Sequence, residues 1–338
     1  MDLNIIWFLL VGILVIVYAI LDGFDLGVGS LYLLLTKTQE EQRILTQAVG
    51  PVWDGNEVWL LTGGGALFAA FPLVYAASFS AFYLALLLVL FALIARAISI
   101  EYKGQVEDGK LRRVLDWAFC LGSLIPALLY GVAMGNVAEG IPLNAAQNYT
   151  GSFFGLLNPY ALLLGLTGLA AFLLQGATYV SFKTTGALSR RAESAGARIW
   201  QGFGVLYLLS TLATILVAPR LFHNYISYPV LFLIPLASWA ALILTRGLIR
   251  KQSHFGSFLA SSTTFATMIL TLALGLFPTL LPAKDPALSL TIYNASSSPL
   301  TLKTMLIIVL IGLPFVLAYT VYAYRVFHGK VSVDRQGY

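Results

Sequence analysis

Charge is what this sequence has least of. Only 10% of its 338 residues are Asp, Glu, Lys or Arg, against 59% hydrophobic, whereas a soluble domain carries roughly a quarter charged residues. A water-soluble globular class is excluded. A single cysteine, Cys120, sits in an apolar run, which excludes an internal disulfide. The three histidines, His223, His254 and His328, fall between apolar runs or at the end of one. A haem iron held by membrane helices of this chain would then have only Met134 and Met268 as ligands, and methionine in such helices usually packs. Metal-ligand spacings, nucleophile motifs and nucleotide-binding patterns are missing from the sequence. We therefore expect no catalytic residue and no bound metal in this chain; catalysis belongs to an assembly.

Long apolar runs are what the sequence has instead. About 20 apolar residues span a bilayer, and backbone groups in lipid must be satisfied internally, so such runs are helices. Runs at 4–35, 50–77, 79–100, 115–137, 157–182, 199–219, 229–244, 257–281 and 305–324 predict an all-α polytopic membrane protein of about nine transmembrane helices. The first run has no basic residue before it and no small-residue cleavage site, and it reads as a span rather than a signal peptide. The chain is expected to form a single membrane domain over 1–338. Within it, 1–138 and 157–282 are candidate four-helix bundles, followed by a last helix at 303–328.

The 20 Lys and Arg residues are unevenly shared among the loops. Sixteen lie in one alternate set, three (Arg220, Lys284 and Lys303) in the other, and Arg96 lies within a span. Because basic loops are retained in the cytoplasm, this predicts an outside N-terminus and a cytoplasmic C-terminus. The formal net charge of +5 is spent on these short clusters rather than on one basic face, so nucleic acid is not an expected partner.

An ionisable residue inside a span costs on the order of 3 kcal/mol, and here such residues cluster. The first run holds Asp22 and Asp25, the second Asp54 and Glu57, the third Arg96, and the fourth opens on Asp116. Each acidic pair has i, i+3 spacing, which sets both carboxylates on one helix face. In the predicted orientation all lie toward the cytoplasm. Asp54 is expected roughly 6 Å inside its span, Glu57 a turn deeper and Asp25 about 15 Å from the inner end of its own. Such a ladder suits proton uptake from the cytoplasm; it equally suits an ion-pair knot that only pins helices together. Arg96 has two candidate partners, a buried anion such as a haem propionate or an acid of its own chain. Gly63, Gly64 and Gly65 are expected to serve helix packing, and Trp53, Trp59, Trp117 and Trp200 to be interfacial anchors.

The local strings are more specific. Asp22-Gly23-Phe24-Asp25-Leu26-Gly27-Val28-Gly29, Trp53-Asp54-Gly55-Asn56-Glu57-Val58-Trp59-Leu60 and Gly63-Gly64-Gly65-Ala66-Leu67-Phe68-Ala69-Ala70-Phe71-Pro72 closely resemble subunit II of cytochrome bd-type quinol oxidases. Arg96 ahead of Glu101-Tyr102, then Asp116-Trp117, Gly135-Asn136 and Gln175-Gly176-Ala177-Thr178-Tyr179, support the likeness. It covers about the first 140 residues strongly and the later spans in length and order. The resemblance implies an accessory subunit of a terminal oxidase that couples quinol oxidation to reduction of O2 to water, in a bacterial or archaeal cell membrane. Haems b and d are expected on subunit I, with which this chain pairs as a heterodimer. Carried over by motif, Asp25 and Asp54 are proton-relay residues, with Trp53 and Asn56 beside them and Arg96 reaching a haem propionate. Asp22, Glu57, Asp116 and Gln175 follow from depth alone. A structural quinone and a small single-helix subunit also belong to the family's repertoire. Two other readings compete: a secondary transporter with buried carboxylates, and a scaffold that stabilises subunit I without conducting protons.

Overall fold

The computed structural model describes residues 2–331. Helix α1 (Leu3–Leu35) opens on Asp2, whose carboxylate accepts from the Asn4 N–H, and at about 1.5 Å per residue it runs roughly 50 Å. A short amphipathic helix follows, α2 (Gln39–Val49), which buries Leu45, Ala48 and Val49. Its apolar face is too short to register as a span, and the sequence reads there as a loop. The second expected span is two helices, α3 (Trp53–Ala70) and α4 (Pro72–Ala81). Pro72 has no N–H to give and drives the preceding residue out of helical backbone, and Phe71 sits at φ −133°, ψ 66°. The bundle continues through α5 (Tyr83–Tyr102), α6 (Gly109–Glu139), α7 (Pro159–Lys183), α8 (Gly186–Val217), the five-residue α9 (His223–Ser227), α10 (Leu233–Arg250) and α11 (His254–Leu276). A two-stranded antiparallel ribbon, β1 (Thr279–Leu281) with β2 (Leu290–Thr291), precedes the last helix, α12 (Pro299–Val326). Both α6 and α8 begin well before their apolar runs, because amphipathic turns continue a helix beyond the membrane.

Among the described residues eight helices are long and apolar enough to cross a membrane: α1, α5 to α8 and α10 to α12. The 18-residue α3 carries Asp54, Asn56 and Glu57 and is less apolar. The ends of the chain decide its status. At one end of the bundle Trp7 Nε1 donates to the Leu302 carbonyl at 3.0 Å, which joins the starts of α1 and α12. At the other end Tyr324, near the close of α12, reaches Asn56 in the first turn of α3. Among the described residues α1 thus starts and α12 finishes at opposite ends of the bundle, which takes an odd number of crossings, and α3 supplies the ninth. Fifteen of the sixteen basic residues of the richer loop set lie at the finishing end, called here the basic end. The sixteenth, Arg335, lies outside the described residues.

Helix α7 is the most enclosed of the eight. It meets α1 backbone to backbone: a Cβ on Gly27 would overlap the Phe172 carbonyl oxygen, and one on Gly176 would overlap the Gly27 backbone. That contact leaves room only for glycine, and close approach is what holds helices together where lipid is as apolar as the side chains. The three consecutive glycines behave differently. Gly63 is buried against Leu14 of α1, whereas a Cβ on Gly64 or Gly65 would meet nothing within 4 Å, so within this chain those two are not packing positions. At the starting end, Ile141, Leu281, Ile292 and Leu302 close a core around Trp7 and Phe71, under a cap in which Ile141 pairs with Ala283.

Candidate functional site

The i, i+3 pair on α1 does face one place. Asp22 and Asp25 are fully buried, and Arg96, only 1% exposed, reaches them from α5. Arg96 Nη2 is 2.7 Å from Asp22 Oδ1 and 4.0 Å from Asp25 Oδ2. Of the two partners the sequence left open for Arg96, the structure displays an acid of its own chain. The site is not saturated: Asp22 Oδ2, Asp25 Oδ1 and Arg96 Nε and Nη1 are buried without a hydrogen-bond partner. Asn56 donates from Nδ2 to Asp25 Oδ2 at 2.7 Å and to the Leu21 carbonyl at 3.3 Å. Tyr324 in turn donates to Asn56 Oδ1 at 2.7 Å. Glu57, half-buried, is near enough to Asp22 and Arg96 for their charges to act on it. Two carboxyls thus share one guanidinium, with a third, Glu57, close by.

The vertical arrangement differs from the expected ladder. The Gly50-Pro51 turn delays the start of α3 to Trp53, so Asp54 lies in its first turn rather than 6 Å inside. Because α1 runs on past that point and α2 folds across its end, Asn56 comes level with Asp25. The result is a compact cluster. Asp54 itself is exposed on the outer face of α3 with Gly55, Val58, Leu61, Thr62, Gly65 and Phe68. A carboxylate in the first turn complements the helix dipole.

Asp116 belongs elsewhere. It sits two turns into α6 and forms an ion pair with buried Lys103, while Tyr32 donates to its Oδ1 at 3.0 Å. Lys103 Nζ also lies 4.3 Å from the Tyr32 ring centroid. Gln175 belongs to a third, satisfied network: its Nε2 donates to Ser262 Oγ, and Ser261 Oγ donates to its Oε1, both at 2.7 Å, so that it ties α7 to α11. Trp53 and Trp59 are buried rather than interfacial, Trp53 donating from Nε1 to Glu101 at 3.2 Å beside Arg96. Trp117 is exposed. Sequence reasoning passed over Lys103 and Tyr324, and also the part-buried pair in which Tyr18 donates to Tyr130 at 2.9 Å, one turn from Asp22. A tyrosine at the end of a span looks like any interfacial aromatic, and 268 residues separate Tyr324 from Asn56.

Compared with known families, residues 3–327 match the model described as cytochrome bd terminal oxidase subunit II. The chain belongs to this family. Subunit 2 of cytochrome bd-I ubiquinol oxidase from Escherichia coli K12 is 37% identical, with 98% of this chain and 96% of the relative covered. Subunit 2 of cytochrome bd ubiquinol oxidase from Bacillus subtilis is 34% identical over 98% and 97%. A solved bd oxidase structure from Geobacillus thermodenitrificans superposes with a TM-score of 0.79 at 19% identity, covering 97% of this chain and 99% of the other; that likeness speaks for the fold. The protein is therefore a multi-pass subunit II of the cytochrome bd terminal oxidase family. The name implies haem, and the residues of this subunit do not fit an axial ligand set. His223 and His328 are exposed near helix ends, His254 faces Glu193 at 3.5 Å, and Met134 is 40% exposed. Among the described residues no group of three or more His, Cys, Asp and Glu is placed to hold a metal ion.

Proposed function

We propose that this subunit II seats on a haem-bearing subunit I in a bacterial plasma membrane. In that complex it conducts protons from the basic, cytoplasmic end toward the site where quinol-derived electrons reduce O2. The observation that carries the reading is the cluster of Asp22, Asp25, Glu57 and Arg96 at the basic half of the bundle, with four buried polar atoms unpartnered. A knot that only pinned helices would be expected to pair its atoms, since an unpaired buried polar group costs about 1–3 kcal/mol. Atoms left open to water or to a moving proton suit a relay. The basic end faces the cytoplasm on the strength of its Lys and Arg excess.

Subunit I docks on the outer face of α3. Asp54 is exposed there on an otherwise largely apolar face, and a Cβ on Gly55 or Gly65 would meet nothing within 4 Å. A partner helix bearing polar groups satisfies both conditions. Asp54 is then the acid through which protons enter the relay at the subunit boundary, and burial of this face stabilises the haem-loaded form of the partner. The names of the E. coli and B. subtilis relatives support ubiquinol as the class of reductant.

The test is a reduced-minus-oxidised visible spectrum and quinol oxidase turnover of the complex purified through a tag on this chain, for the wild type and for Asp54→Asn. Co-purified b and d haems, with turnover at least tenfold lower in the variant at unchanged haem content, are expected. Full turnover in the variant removes Asp54 from the relay, and a haem-free protein despite co-expression of subunit I would sink the reading as a whole.

A further inference from the structure

At the basic end a cavity of about 100 Å³ opens where α2, α7 and the end of α12 meet, walled by Ala48, Val52, Tyr179, Lys183 and Tyr324 among others. That volume has room for several waters. The chain after α12 folds over it and is tied down. Lys183 Nζ donates to the carbonyls of Phe327 and Gly329 at 2.8 and 3.3 Å, and the Val331 N–H donates to the Lys183 carbonyl at 2.8 Å. Tyr324 is thereby held between the cavity and the acid cluster.

The hydrogen bonds behind Tyr324 have one consistent direction. The Leu21 carbonyl only accepts, so the nitrogen of the Asn56 amide must face it, and the amide cannot be flipped. Asn56 Oδ1 therefore faces Tyr324, whose hydroxyl must be the donor. The same amide nitrogen donates to Asp25 Oδ2, which commits that oxygen as an acceptor. Asp25 Oδ1, buried and without a partner, is the oxygen left to carry a proton.

We propose that Tyr324 is a positioning residue for Asp25. Acting through Asn56, it fixes the single carboxyl oxygen on which Asp25 takes up and releases its proton, while its other side borders the water-accessible cavity. The proposal rests on the relay reading. Its atoms balance simply: Oδ1 takes one proton from the preceding donor of the relay and gives that proton to the next acceptor, and neither Tyr324 nor Asn56 changes its own proton count.

The experiment uses the assembled complex, comparing wild type, Tyr324→Phe and Asp25→Asn by haem content, turnover and redox-induced infrared difference spectra in the carboxyl C=O region. The band lost in Asp25→Asn identifies Asp25. In Tyr324→Phe, which keeps the ring, we expect unchanged haem content and turnover about fivefold lower, the worth of one neutral hydrogen bond. The Asp25 band should move to higher wavenumber as its Oδ2 loses a well-held donor. An unmoved band overturns the proposal, whether turnover is full or falls in step with haem content. Full turnover in Asp25→Asn overturns the relay reading and this proposal together, whereas full turnover in Tyr324→Phe alone overturns only the role of Tyr324.

Discussion

Removing the one cation of the acid cluster should be far more harmful than removing the acid it binds. Arg96 is 1% exposed, and Asp22 and Asp25 are fully buried at 2.7 and 4.0 Å from it. In Arg96→Gln two buried carboxyls lose their counter-charge, and breaking such a pair from one side costs about 3–5 kcal/mol, most of it the desolvation of the group left behind. In Asp22→Asn the guanidinium keeps Asp25, and the amide still accepts a hydrogen bond, so the cost should stay near 1–2 kcal/mol. The double variant Asp22→Asn, Arg96→Gln removes both charges and should be more stable than Arg96→Gln alone. The amount by which the double variant falls short of the sum of the two single effects is a coupling energy of about 2 kcal/mol, within the range for contacting residues. Thermal unfolding of detergent-purified complexes, followed by monodispersity on size exclusion, gives all four corners of the cycle. If Arg96→Gln melts with the wild type, or if the double variant is no better than the single, the cation is not what keeps these acids in the bundle.

Two further outcomes can be checked directly. Gly176→Leu should abolish accumulation of folded protein, because a side chain there overlaps the Gly27 backbone, while Gly65→Ala, which meets nothing in this chain, should leave the subunit folded and weaken only its co-purification with subunit I. Outside the membrane, Glu41 forms an ion pair with Arg191, and the hydrogen bond from Arg191 holds its carboxyl below the usual glutamate range. A lowered acid pKa adds stability that is present above the ordinary value near 4.5 and is lost as pH falls through the lower, folded value. The wild type should therefore lose its small advantage over Arg191→Met, a few tenths of a kcal/mol, when melting is followed from pH 6 down to pH 3; an advantage constant over that range would refute it.

Much of the fold was written in one dimension. Apolar run length fixed the spans, since 20 residues of helix match a bilayer; α1, α5, α7 and α12 fall within a few residues of their runs, apart from the polar turns that open α12. The i, i+3 spacing set Asp22 and Asp25 on one face, because a helix has a fixed pitch whatever surrounds it. The motif strings pointed to the family before any coordinates. Where an element obeyed packing instead of hydropathy, the sequence said less. Helix α2 and the first turns of α6 and α8 are amphipathic, and a hydropathy reading stops where they begin.

What only the tertiary structure decided is which polar groups meet. Asn56, Asp25 and Tyr324 come from three helices, and their contact depends on α3 starting late and α12 ending beside it. Asp116 looked like a rung of the same ladder and instead pairs with Lys103, since rotation of α6 about its axis is set by neighbours that no local pattern encodes. The three glycines illustrate the same limit: small residues announce close approach, but whether the approaching surface lies in the same chain or another depends on which face of α3 the bundle covers. Hydrophobic length and helical periodicity are local properties that a chain carries with it; partnership among buried polar groups is a property of the packed bundle, and exists only once the helices have been brought together.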